Sequence, residues 1–355
     1  MEHYIDSSPG RVIEVNHKKY HYFGGTSYLG LQTDKAFQEL LIENIKKYGT
    51  NHGASRISNV RLAIYRRAEK YLADWTGSPA CLTLSSGYLA GQLASSVFKT
   101  DQYQLFYAPN CHSALYTTQV AHTNINSYDT YSTMGAAIRR HLSLKNGTTP
   151  VVLLDTIDFS GRNYPGFDGL RSLPLNETVI VADDSHGMGL VGPGGSGVYS
   201  LLSALGWREL LVCCSLGKAL GTPGGAIFGS VDRISQLKKT DLFGGSSPIS
   251  PAFLAALIEG KTIFDQKRVF LQENIKLFIN AIRELPDIAT IPGYPACTYS
   301  DPRLSEYLDR NNILVTNFNY PKEDEILTSR IVLSAHHNRK DINYLAHVIQ
   351  SYFKG

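Results

Sequence analysis

The chain has 355 residues, 43% hydrophobic and 18% charged, with a net charge of +3. The length allows two or three domains with a large core, and the interspersed Lys, Arg, Asp and Glu exclude a nucleic-acid-binding basic block. No apolar run approaches the roughly 20 residues that span a bilayer. The start, Met1-Glu2-His3-Tyr4-Ile5-Asp6, shows neither the basic nor the apolar region of a signal peptide. The five cysteines (Cys81, Cys111, Cys213, Cys214, Cys297) have no metal or redox spacing, so a reduced, cytoplasmic protein is expected.

In chain order, residues 1–33 read as an arm with an amphipathic strand at Arg11–Val15. Asp34 is placed to cap a helix through Ile45 that ends near Gly49. Arg61–Trp75 reads as a helix, with Ile64, Ala68, Tyr71 and Leu72 on one face and Gly77 after it. Strands are expected at Ala80–Leu84, Gln104–Tyr107, Val151–Asp155, Val179–Asp183, Leu210–Cys214 and Ala226–Gly229. Helices such as Leu89–Phe98 and Ser113–Ala121 fit between them. This β-α-β alternation predicts a mostly parallel sheet covered by helices, the large domain at 34–250. After Pro251 the pattern changes. One long helical stretch with a bend is expected from Phe253 to Leu285, then strands at Ile313–Thr316 and Arg330–Ser334. A final helix at Lys340–Phe353 completes a smaller C-terminal α+β domain at 251–355.

Chemistry concentrates at the ends of two of these strands. Val179–Ala182 runs into Asp183-Asp184-Ser185-His186-Gly187, and the second run ends in Ser215-Leu216-Gly217-Lys218 among glycines. Open α/β sheets bind ligands at the carboxyl ends of their strands. An amine beside a carboxylate and an imidazole suits pyridoxal 5'-phosphate (PLP). Lys218 would form the Schiff base, Asp183 would keep the pyridine nitrogen protonated, and His186 would bond the ring oxygen. Ser85-Ser86-Gly87-Tyr88 follows a strand and opens a helix. Its free N–H groups would take a phosphate, to which Ser215 could add a hydroxyl; an ordinary Ser-capped helix fits the same residues. His112 starts a helix and could stack on a planar cofactor or simply cap. Gly244-Gly245-Ser246-Ser247-Pro248 is a second small-residue loop, readable as a phosphate contact or as a linker. Gly187-Met188-Gly189-Leu190-Val191-Gly192 is literally G-x-G-x-x-G, yet Pro193-Gly194-Gly195 follows where a dinucleotide site needs a helix.

Taken together, the motifs resemble the α-oxoamine synthase family of fold-type-I PLP enzymes. Tyr28-Leu29-Gly30-Leu31, Asp183-Asp184-Ser185-His186, Gly192-x-x-Gly195-x-Gly197, Ser215-Leu216-Gly217-Lys218-Ala219-Leu220-Gly221 and the stretch from Arg330 to His337 stand in that family's order. The resemblance implies that Lys218 is both the Schiff-base lysine and the proton-transfer base, with Asp183, His186 and the stacking His112 around the ring. Ser86, Gly87, Tyr88 and Ser215 would hold the phosphate. Ser247 would reach the partner's cofactor in a homodimer with shared active sites, and Arg330 would grip the substrate's α-carboxylate. The implied activity condenses a small amino acid with an acyl thioester, carried by CoA or an acyl carrier protein, with decarboxylation. Another PLP reaction on amino acids, an aldolase-type lyase or an aminotransferase, is the alternative.

Overall fold

The structure, a computed structural model, describes residues 3–116, 128–319 and 327–354. The chain divides into two units, Leu40–Glu259 and the combination of Met1–Glu39 with Gly260–Gly355.

The first unit is built on a six-stranded sheet. Its order is Ala80–Leu84, Gly225–Gly229, Glu209–Ser215, Val179–Asp183, Thr149–Asp155, Tyr103–Tyr107. Gly225–Gly229 is antiparallel to both neighbours, and the remaining pairs are parallel. The sheet is therefore mostly parallel, as expected. Every residue of Val179–Asp183 is buried, which is what a β-branched run in the middle of such a sheet requires. Helix Gly87–Ser96 lays Leu93 and Ala94 on Val151, Val181 and Leu211. The helix expected at Ser113–Ala121 is realised as a short 3₁₀ turn, Ser113–Leu115, because Tyr116 is extended; residues 117–121 lie outside the described residues.

The second unit carries its own sheet, ordered Val12–Val15, Lys18–Phe23, Ile313–Asn319, Leu327–Val332, Ala296–Tyr299, Ile288–Thr290. Lys18–Phe23 pairs in parallel with Ile313–Asn319, so this part of the expected arm is a strand of the unit's sheet. The units divide at 39/40 and 259/260, where boundaries at 33/34 and 250/251 were expected. The long helical stretch is two helices, Pro251–Glu259 and Lys261–Ile282, with Gly260 non-helical between them. Gly260 is thus the expected bend and also the unit boundary.

Candidate active site

Three strand ends of the parallel sheet carry the chemistry. Val179–Asp183 delivers Asp183, and the turn after it delivers His186. Glu209–Ser215 delivers Ser215, and the turn after it delivers Lys218. Thr149–Asp155 ends on Asp155, in register with Asp183.

Lys218 Nζ lies 2.9 Å from His186 Nε2. The ring of Phe159 meets His186 edge-on, with centroids 4.8 Å apart. Asp183 is buried, and its Oδ1 accepts the Ser185 N–H at 2.8 Å. Ser185 Oγ accepts the Ser215 N–H at 2.8 Å, tying the two strand ends together. His112 Nδ1 accepts the Ala114 N–H at 3.0 Å, which puts the proton of a neutral ring on Nε2. Burial lowers the His112 pKa; the Asp183 charge opposes this and the Lys218 charge reinforces it, so both groups act on the ring.

The expected phosphate elements adjoin this edge. Ser86 caps helix Gly87–Ser96 by accepting the Leu89 N–H at 3.1 Å. A Cβ at Gly87 would stand 2.5 Å from Ser215 Cβ, so only glycine lets the helix start press against that strand end. Ser86 and Tyr88 are exposed, while Gly87 and Ser215 are half-buried. The first N–H groups of a helix have no intrahelical acceptor, and an anion near them is favoured. Amine, imidazole, carboxylate and helix start thus meet on one sheet edge, a donor set that fits PLP.

Ser247 is exposed and follows helix Asp241–Gly245. Arg330 belongs to the other unit, in strand Leu327–Val332; burial pushes the Tyr28 phenol there up to about 12, and the Arg330 charge only partly opposes this. The literal G-x-G-x-x-G forms turns around the buried Asp184. A Cβ on Gly187, or on Gly197 beyond the motif, would come within 2.1 or 2.2 Å of that carboxylate, so these two glycines wrap a side chain. Asp184 accepts from Thr156 Oγ1 at 2.6 Å and from the Val198 N–H at 3.0 Å, and burial pushes its pKa up to about 7. All five cysteines are buried and free, and burial pushes their thiols up. Among the described residues no cluster suits a metal ion, and no helix is long and apolar enough to cross a membrane.

The sequence reading passed over Asp155, Phe159 and Ser185. Asp155 had a usable signal, since Val151–Leu154 is an apolar run ending in Asp just as the Asp183 run does. Phe159 had none; its left-handed backbone (φ 57°) is unusual for a bulky side chain and shows only in the structure.

A family model described as "Aminotransferase class I and II" matches residues 170–349, just over half of the chain. The chain belongs to this family. Among individual relatives, the 8-amino-7-oxononanoate synthase of Fervidobacterium nodosum is 24% identical over 96% of this chain and 90% of its own length. That of Dechloromonas aromatica is 26% identical over 79% of this chain and 75% of its own length. In fold, the chain is similar to the serine palmitoyltransferase of Sphingomonas wittichii. The TM-score is 0.83 and the identity 16%, over 98% of this chain and 91% of that one. The 8-amino-7-oxononanoate synthase of Francisella tularensis gives a TM-score of 0.70 at 17% identity, over 94% and 98%. A serine palmitoyltransferase from S. paucimobilis, solved with bound PLP, has a TM-score of 0.83 at 16% identity, over 99% and 92%. For this member of the aminotransferase class I and II family, the α-oxoamine synthase resemblance agrees with the names of these relatives.

Proposed function

We propose that this chain is a PLP-dependent acyltransferase of the α-oxoamine synthase type. It condenses a small amino acid with an acyl thioester, with loss of carbon dioxide, to give an α-amino ketone. The observation that carries the reading is Lys218 Nζ beside His186 Nε2, on the sheet edge that also holds buried Asp183.

Bound PLP supplies an electron sink that stabilises negative charge at the amino acid's Cα. The protein's own groups do the rest. Lys218 would hold the cofactor through its amine and would take the amino acid's Cα proton at Nζ. Asp183, kept in place by the Ser185 N–H, holds a proton on the ring nitrogen. His186 shares its Nε2 with Lys218 and is the ring oxygen's partner. His112, neutral and fixed by the Ala114 N–H, offers a flat face to the ring without adding charge. Ser86, Gly87, Tyr88 and Ser215 bind the phosphate. Arg330 is assigned to the α-carboxylate by its motif alone.

Two further features belong to this proposal, a cytoplasmic location and a homodimer with shared active sites. Ser247 is exposed, and so are Ile57, Val60 and Leu242 on and beside the loop that Ser55 ties to the Gly244 carbonyl at 2.6 Å. Ser247 would then contact the cofactor phosphate of the partner subunit, and those apolar side chains would be covered.

Release of free thiol from a panel of acyl-CoA thioesters tests the reaction type. The expected outcome is thiol release only when both thioester and a small amino acid are present. Steady turnover of an amino acid alone would replace this reading with a lyase or an aminotransferase.

A further inference from the structure

Beneath the candidate cofactor site lies a second carboxyl group with no role so far. Asp155 ends strand Thr149–Asp155 and stands directly beside Asp183 in the parallel register. Its Oδ1 is buried with no hydrogen-bond partner among the described residues, while the carboxyl accepts the backbone N–H of His112. Its own carbonyl is held by Asn163 Nδ2 at 2.5 Å, and the next N–H, that of Thr156, donates to the Asp183 carbonyl at 2.9 Å. The side chain therefore sits on a fixed backbone, between the segment that carries His112 and the strand that carries Asp183.

We infer that Asp155 is a positioning residue of the cofactor site. It stays a neutral carboxyl that holds the His112 segment and leaves the charge of the adjacent carboxyl pair on Asp183. This rests on the PLP reading for its purpose, though not for its geometry.

Two carboxyls on neighbouring strand ends, in a medium that solvates charge poorly, do not both ionise; the pair keeps one proton near neutrality. The proton goes to the member whose anion is less well supported. Asp183 accepts the Ser185 N–H and would face the cationic nitrogen of a bound ring. Asp155 is sealed, with an oxygen that no donor among the described residues reaches. The other groups that act on Asp155 divide unequally. Burial, Asp183 and Asp158 push its pKa up, well above the ordinary value, while the His112 N–H and Lys218 oppose them. The thiols of Cys111 and Cys213 are themselves pushed up, first by burial and also by the Asp183 charge, so they add no charge of their own. A neutral Asp155 keeps its accepting oxygen for the His112 N–H, so the imidazole is anchored at its backbone by Asp155 and at its ring by the Ala114 N–H.

The test uses the protein without and with PLP. In the cofactor-free protein at pH 7, infrared difference spectra between wild type and Asp155→Asn should show the loss of one protonated carboxyl C=O band. Asn reproduces a neutral carboxyl's shape and its accepting oxygen. Asp155→Asn should therefore hold PLP within about twofold of wild type and leave the pH dependence of its visible absorbance unchanged. Asp155→Leu, which cannot accept the His112 N–H, should weaken PLP binding by about tenfold. An unchanged carboxyl band overturns the inference, as does failure of the Asn variant to fold. An Asn variant as impaired as the Leu variant, or a Leu variant indistinguishable from wild type, also overturns it. A wild-type protein that binds no PLP at all would instead overturn the cofactor reading, leaving the infrared result to stand alone.

Discussion

At the residue scale, the buried carboxylate of Asp184 gives the clearest pH dependence. Its pKa is pushed up to about 7, mainly by burial. The folded state thus binds this proton more tightly than the unfolded chain does. Its contribution to stability is complete below the unfolded carboxyl range and is lost as the pH rises toward 7. Integrated over that window, the loss is up to about 4 kcal/mol. Asp184→Asn keeps an acceptor for the Val198 N–H and cannot titrate, so it should remove this share of the slope. Thermal unfolding of both proteins from pH 4.5 to 8 checks it, with the variant gaining on the wild type as the pH rises. Parallel curves would show that Asp184 does not titrate in that range. Much of this neighbourhood was legible in the sequence. Asp183, His186 and Lys218 follow apolar runs, and strand ends are where such groups converge. Asp184 looked like half of an Asp-Asp pair, and nothing local says that its neighbour faces the site while it faces inward under two glycines.

At the element scale, the loop before helix Ala63–Thr76 is pinned by one buried ion pair. Arg56 Nη2 lies 2.7 Å from Glu69 Oε1, with both side chains under 10% exposed. The same Glu69 oxygen accepts from the Thr83 N–H and Oγ1, each at 3.1 Å, and the Arg56 guanidinium lies over the Tyr65 ring at 4.2 Å. Breaking a buried pair from one side leaves a charge that nothing solvates, at a cost of about 3–5 kcal/mol. Glu69→Gln should destabilise the protein by that order in urea unfolding, and protease should cleave earlier near exposed Ile57 and Val60. A loss under about 1 kcal/mol would place Arg56 among exposed pairs. Sequence patterning found every strand of the parallel sheet, because continuous buried runs bounded by polar turns are unambiguous. It passed over Lys18–Phe23, whose two leading lysines mask Tyr20 and Phe23, and the short Ile288–Thr290 and Ala296–Tyr299 strands. A three- or four-residue strand holds too few alternations to be read without its partner.

At the scale of the whole molecule, the chain's first 39 residues share a unit with its last 96, a pairing that no local pattern announces. It depends on Ile313–Val315 aligning with His21–Phe23 across some 290 residues of sequence. The proposed homodimer, implied by the resemblance at Ser247, is likewise a property of the whole assembly. If the partner subunit's Ser247 completes each phosphate site, PLP binds the assembled dimer better than separated subunits and strengthens it by mass action. Sedimentation should show the PLP-loaded protein as a dimer at concentrations where the PLP-free protein has begun to dissociate. A monomeric loaded protein would end the shared-site model.

The central claim is that Lys218 carries the cofactor, and chemical trapping tests it most directly. PLP-loaded protein is reduced with borohydride, digested, and searched by mass spectrometry for pyridoxyl-lysine. The account predicts a single labelled peptide containing Lys218, absent from Lys218→Ala even though that variant still absorbs PLP without covalent attachment. Label on any other lysine, or label that survives Lys218→Ala, would contradict it.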